Sequence, residues 1–300
     1  MSFELKLTTK SKVNKFTTIF KYLKNICPEV TINVDQDNLY IQGMCSAHVL
    51  LFELNISKDW FDSYETTFVS QVNLGVNCEI LFKIINCIND GQMIKFQYCE
   101  RNLDKLIISL ENIDDHMKNP IKSFELSLMD IDTEYLEIPE VDTDIEMSLS
   151  SDQIVQIINE LAQFGHDVKF ECNEKGISLE SVGDSNKMDV RIKDSDIESY
   201  AIVEDFMYEG TYSLKYLQNI TAFQKLNKNL DITFIEDNPA IFMYDLNEFD
   251  WKTTNEDEIE SEDDDEGSDD EENPELETSS NNVNKKPKNI IKFYLAPKID

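Results

Sequence analysis

Apolar residues recur along this chain with two alternating periods. Phe3, Leu5 and Leu7 alternate with polar neighbours, as in a half-buried strand, and Val13, Phe16, Ile19, Phe20 and Leu23 then return at helical spacing. The succession repeats later. A strand over Ile145 to Leu149 leads into a helix carrying Ile154, Ile157, Ile158 and Leu161 on one face, and Ser150 with Gln153 predicts a capping box at its start. Second helices are predicted over Asn77 to Ile88 and Ser213 to Phe223. The stretch VTINVDQDNLYIQGMCSAHVLLFEL from Val30 matches VKFECNEKGISLESVGDSNKMDVRI from Val168 as strand, turn, strand, turn, strand. The chain therefore repeats with a period near 138 residues and predicts one α+β fold used twice. Between the copies, Leu126 to Glu140 (LSLMDIDTEYLEIPE) keeps neither period and contains Pro139, so it reads as an extended connector.

Residues 254–288 hold 15 Asp/Glu against Lys285, Lys286 and Lys288, with hardly any apolar side chain. Such a segment cannot bury enough surface to offset its ordering entropy and is predicted to be disordered. It separates two strand-like runs, Ala240 to Leu246 and Asn289 to Leu295, which suggests a hairpin with a swollen loop. Closure entropy grows only logarithmically with loop length, so a fold carries such an insertion at small cost. Ser261 and Ser268 precede acids, the context acidophilic kinases favour, and Lys285 to Lys288 (KKPK) has the composition of a short nuclear-import signal.

Charge changes the picture. The net charge is −33, of which the acidic insertion accounts for −12 and everything else for −21. That total argues against nucleic acid, whose phosphates require clustered Lys or Arg. The distribution reverses the argument. Leu5 to Pro28 contains no acid and carries Lys6, Lys10, Lys12, Lys15, Lys21 and Lys24; Gly210 to Leu230 contains none and carries Lys215, Lys225 and Lys228. At 100° per residue Lys15, Lys21 and Lys24 lie off the apolar stripe of their helix, and Lys215 lies opposite Leu217, Ile220 and Phe223. A helix face that is merely solvated mixes signs, whereas a face cleared of acids in two repeats suits a polyanion held without sequence readout.

Catalytic chemistry is not expected. The six cysteines form no Cys-x-x-Cys pair, the three histidines are dispersed, and no phosphate-cradling glycine loop or nucleophile–base spacing occurs, so neither metal nor cofactor is anticipated. Pure apolar runs such as Val49 to Phe52 are far short of a membrane span. Reduced, intracellular surroundings suit this cysteine usage.

Several stretches together resemble the sliding clamps of DNA replication, the proliferating cell nuclear antigen family. They are MCSAHVLLFEL (Met44 to Leu54), FDSY (Phe61 to Tyr64), LGVN (Leu74 to Asn77), LMDID with LEIPE (Leu128 to Glu140), DNPAIFMY (Asp237 to Tyr244) and the terminal YLAPKID, in the family's order across the chain. The resemblance implies two topologically equivalent clamp domains, residues 1–127 and 142–300, joined by a connector at 128–141. It implies helices lining the inner face, antiparallel sheets outside, and three chains closing into a ring around duplex DNA. Lys12, Lys15, Lys21, Lys83 and Lys215 would face the DNA. Met44, His48, Val49, Leu51, Leu136, Ile138, Pro139, Pro239, Tyr294, Ala296 and Pro297 would form a groove for partner peptides, and Phe124, Met188 and Val190 would meet across subunits. The implied partners are a DNA polymerase, a clamp loader and other proteins carrying the family's interaction peptide, in a nucleus or viral replication compartment. A monomeric clamp-fold protein that binds DNA or sequesters partners without encircling DNA is the rival reading. Departures from the family pattern are Gln156, Asn159 and Gln163 where basic residues are usual, Glu174 at the modifiable lysine, Glu137 where many members have glycine, and the acidic insertion itself. The insertion suggests a divergent lineage, a large DNA virus or a protist.

Overall fold

The computed structural model describes residues 1–114, 116–132, 134–139, 141–247 and 289–298. The first half runs β1 (Ser2–Leu7), α1 (Lys10–Ile26), β2 (Glu29–Val34), β3 (Asn38–Met44), β4 (Leu50–Ser57), β5 (Ser63–Thr66), β6 (Val72–Asn77), α2 (Cys78–Ile85), β7 (Gln92–Cys99), β8 (Lys105–Asn112) and β9 (Lys122–Ser127). The second runs β10 (Ile145–Ser150), α3 (Ser151–Leu161), β11 (Asp167–Asn173), β12 (Gly176–Val182), β13 (Lys187–Lys193), β14 (Ser199–Ile202), β15 (Tyr208–Ser213), α4 (Leu214–Thr221), β16 (Asn229–Phe234), β17 (Ala240–Asp245) and β18 (Ile290–Leu295). Strands and helices follow in the same order twice. The predicted α2 and α4 are shorter than their apolar patterns by a few residues at the C-terminal end.

Three antiparallel sheets result, with strand orders β5-β1-β7-β8-β9, β14-β10-β16-β17-β18-β4-β3-β2-β6 and β13-β12-β11-β15. The nine-stranded sheet is a composite. Its first five strands repeat the order of the five-stranded sheet, its last four repeat the order of the four-stranded sheet, and β18 against β4 is the join. Alternation decides the faces. In β4, Leu50, Phe52, Leu54 and Ile56 are buried while Leu51, Glu53 and Asn55 face outward.

The helices pack as one layer, α2 on α1, α1 on α4 and α4 on α3. Along α1, Val13, Phe16, Ile19, Phe20, Leu23 and Ile26 are buried as the period demands; each such side chain contributes roughly 1.5–3 kcal/mol on burial. Phe223, just past α4, touches both Phe293 (ring centroids 4.9 Å) and Tyr22 of α1 (5.5 Å), so the two halves share one core at the seam.

The capping box predicted at Ser150 does not form: the Ser150 side chain makes no cap hydrogen bond to α3. Backbone supplies part of the need instead, since Ser151 N–H donates to the Lys228 carbonyl at 2.7 Å. Strands β17 and β18 pair over Ala240–Asp245 and Ile290–Leu295. The acidic stretch 254–288, with Ser261, Ser268 and the KKPK run, lies outside the described residues, as do Ile299 and Asp300. All six cysteines are free thiols.

Candidate partner groove and inner basic face

One outward-facing row crosses the sheet join. Met44 in β3 lies opposite Leu51 in β4, Leu51 opposite Tyr294 in β18, and Tyr294 opposite Ile241 in β17. The connector is fastened above this row at three points. Met129 N–H donates to the Gly75 carbonyl at 2.9 Å, an approach that only glycine permits because a Cβ there would lie 2.1 Å from the Met129 carbonyl oxygen. The Tyr135 hydroxyl and the Asn33 amide bond each other at 2.7–2.9 Å. Gln42 bonds both the N–H and the C=O of Leu136.

Below the connector lies an apolar cavity of about 280 Å³. The structure brings six of the predicted groove residues to its wall: Leu51, Leu136, Ile138, Pro139, Pro239 and Tyr294. Val141, Ile235 and Ile241 complete the apolar wall and were missed. Alternation in IFMY signals Ile241, whereas Val141 and Ile235 lie in irregular segments without a period. Glu137 and Asn238 are the polar groups at the wall. The other five predicted residues form the adjoining rim. His48, at φ 57°, sets Nδ1 3.1 Å from Met44 Sδ; Ala296 N–H donates to the Val49 carbonyl at 2.9 Å; Pro297 borders a second hollow of about 570 Å³ beside Met207 and Asp237.

The polar groups around the Tyr294 hydroxyl are satisfied. The Tyr294 hydroxyl donates to Glu53 Oε1 at 2.7 Å and Tyr40 approaches Oε2 at 3.4 Å, while Lys292 stands 4.0 Å away. Burial, reinforced by Glu53, pushes the Tyr40 phenol up to about 12 and Tyr294 higher still, so both remain protonated donors. A larger hollow of about 1090 Å³ lies between the first sheet and the β2–β3 turn. Its wall carries Glu4, Asp37, Lys58, Glu65 and Lys105, so it lacks the continuous apolar lining that anchors a peptide.

On the helix layer the predicted lysines divide. Lys21, Lys83 and Lys215 are exposed. Lys12 is half-buried and donates to Asp62 Oδ1 at 2.9 Å. Asp62 also accepts from Thr8 N–H, Thr9 N–H and the Thr9 hydroxyl at 2.6–2.8 Å, so it fastens the turn that enters α1 to a distant strand turn. Burial alone would raise this carboxyl; the four donors outweigh it and hold Asp62 far below the usual carboxylate range. Lys15 turns sideways and donates to the carbonyls of Leu246 (2.8 Å) and Asn247 (3.2 Å), beside Trp60. It therefore fastens α1 to the end of β17, a place that helical spacing alone could not reveal. On α3, Gln156 bonds Glu160, and Asn159 accepts from Gln218 of α4.

Strands β9 and β13 each end a sheet, with one edge unpaired among the described residues. Phe124, Met188 and Val190 are half-buried along those edges, and Ile121 (69% exposed) and Val182 (59%) stand beside them.

Comparison with known proteins agrees with this geometry. The family model described as "Proliferating cell nuclear antigen, N-terminal domain" matches residues 2–135, and its C-terminal counterpart matches residues 137–254. The "Probable DNA polymerase sliding clamp 2" of Paramecium bursaria Chlorella virus 1 is 26% identical over 233 residues, covering 77% of this chain and 80% of that protein. The "Probable DNA polymerase sliding clamp" of Autographa californica nuclear polyhedrosis virus is 27% identical over 202 residues, covering 67% and 74%.

Proposed function

The chain belongs to the proliferating cell nuclear antigen family, and from that premise we propose that it is a DNA polymerase sliding clamp, a homotrimeric ring that encircles duplex DNA and holds replication proteins through the groove beneath its connector. The observation that carries the ring is the composite sheet. Within the chain, β18 of the second half pairs with β4 of the first. Of the six strands that end a sheet, β9 and β13 are the equivalents of this joined pair, and each has one edge unpaired among the described residues.

Internal equivalence also supplies a register. Tyr64 and Tyr200 mark matching positions, since each hydroxyl bonds two carbonyls of the turn after the second strand of its half (Asp35 and Asn38; Asn173 and Gly176). Leu5 pairs with Tyr64 and Met147 with Tyr200, and following the ladders outward makes Phe124 equivalent to Phe293. On the other side, Leu54 pairs with Ile41 as Val190 pairs with Leu179, so Met188 stands for Phe52. Phe293 lies opposite Phe52. Phe124 would accordingly lie opposite Met188 of the next chain. A head-to-tail contact of this kind closes into a ring when its rotation is a whole fraction of a turn.

Partner peptides would enter as a helical turn presenting aliphatic and aromatic anchors to the cavity. Polymerase and clamp loader are the expected partners, at sites of DNA replication in a nucleus or a viral compartment. Light scattering at micromolar concentration tests the assembly and is expected to return the mass of three chains. Polymerase tethering on primed circular DNA tests the activity. A single-chain mass, or no tethering by the wild-type protein, would overturn the reading.

A further inference from the structure

Six lysines of the helix layer, Lys15 aside, meet two different kinds of neighbour. Lys10, Lys12 and Lys83 bind carboxylates: Asp90 at 2.8 Å, Asp62 at 2.9 Å and Glu79 at 2.8 Å. Lys21, Lys24 and Lys215 instead sit on aromatic rings, with Nζ 5.0 Å from the Tyr22 centroid, 5.0 Å from Phe82 and 5.6 Å from Tyr216. The distinction is electrostatic. A carboxylate cancels the ammonium charge, so a phosphate gains little counterion release by replacing it. A ring presents only a quadrupole, steadies the side chain by about 0.5–1 kcal/mol at an exposed site, and leaves the full positive charge directed outward. Two of these pairs are consecutive Lys-Tyr residues, Lys21-Tyr22 on α1 and Lys215-Tyr216 on α4. Tyr22 also touches Phe223, which draws the Lys21-Tyr22 pair toward the seam where α1 meets α4.

We infer that phosphate contact is concentrated in the exposed, ring-seated lysines Lys21 and Lys215, with Tyr22 and Tyr216 as positioning residues that keep those ammonium groups away from the acids of a −33 chain, whereas Lys24 is half-buried and its charge already acts on Glu79. Lys12 and Lys83 serve local structure. The inference rests on the clamp reading and divides its basic face into working and neutralised halves.

Full-length protein and a fluorescent 30-base-pair duplex, titrated by anisotropy from low to moderate salt, supply the test. For each of K21Q and K215Q the slope of log K against log salt is expected to shrink by about 0.9. K12Q and K83Q are expected to leave it within error of wild type. Y22L and Y216L should weaken binding two- to fivefold at fixed salt, whereas Y22F and Y216F, which keep the ring, should bind as wild type; a purely structural role would instead appear as a changed Tm or assembly mass in both pairs. Equal slope losses for K12Q and K21Q, or Y22L and Y216L binding as tightly as wild type, would overturn the inference while leaving the clamp reading intact. Absence of salt-dependent duplex binding by the wild-type protein would overturn both.

Discussion

Gln42 holds Leu136 by both of its main-chain polar groups: Leu136 N–H donates to Gln42 Oε1 at 2.8 Å, and Gln42 Nε2 donates to the Leu136 carbonyl at 3.0 Å. The side-chain amide thus acts as one rung of a β-ladder, and the connector above it leaves Gln42 only 3% exposed. Replacing Gln42 by Ala removes both bonds without cutting into the apolar core. Each bond contributes about 0.5–1.5 kcal/mol. Q42A should therefore loosen the connector and weaken an amphipathic partner peptide roughly tenfold by calorimetry, with little change in Tm. Unchanged affinity would show that the groove forms without this clasp.

Much of the architecture was legible because it is periodic. The stripe from Val13 to Leu23, the alternation of β4 and the repeat between Val30 and Val168 each state a face and an element. The candidate groove was legible in six of its wall residues, most of them in or beside the stretches that carry the family resemblance. Long-range polar contacts were not legible. Gln42 and Leu136 are 94 residues apart, and Lys15 and Leu246 are 231 apart. Spacing along one helix can show that Lys15 leaves the apolar stripe; it cannot show which carbonyl waits beside it.

Asp62 holds the turn that enters α1, accepting from the main-chain N–H groups of Thr8 and of the N-cap residue Thr9. D62A should cost about 1–3 kcal/mol through the hydrogen bonds lost at Thr8 and Thr9, and the neighbouring Lys12 ammonium adds to the loss. The pH dependence has a definite sign. A carboxyl whose folded pKa lies below its unfolded value near 3.9 stabilises the fold above that value and loses the contribution as pH falls toward the folded pKa. The wild-type minus D62A difference in unfolding free energy should be flat at neutral pH and shrink below about pH 4. A difference that stayed constant down to pH 2 would contradict the assignment.

Asp231 behaves in the opposite way. Burial raises its pKa, the Ser148 hydroxyl at 2.7 Å only partly compensates, and Asp245, Glu198 and Glu146 add repulsion. A carboxyl raised in the folded state penalises folding once pH exceeds its unfolded value, and the penalty vanishes where both states are protonated. D231N, isosteric and uncharged, should raise Tm at pH 7 and lose that advantage near pH 3. A lower Tm at neutral pH would show that the carboxylate is needed in its charged form.

The register carried over from the internal sheet join sets Glu125 of one chain opposite Lys187 of the next, on the outward face beside Phe124 and Met188. Both are engaged within their own chain, Glu125 with Lys105 and Lys187 with Glu180, and both are largely exposed. Removing the pair should therefore matter little, because exposed ion pairs contribute about 0.2–1 kcal/mol. Reversal is the sharper probe. E125K places a third positive charge beside Lys105 and the neighbouring Lys187, and K187E places a third acid beside Glu180 and the neighbouring Glu125. Each single variant should weaken trimer assembly roughly tenfold in sedimentation, and the double variant E125K/K187E should regain most of the loss because the cross-chain pair is restored with its sign inverted. Independent losses that simply add in the double variant would place these residues apart and exclude this register, since only directly opposed side chains couple in such a cycle.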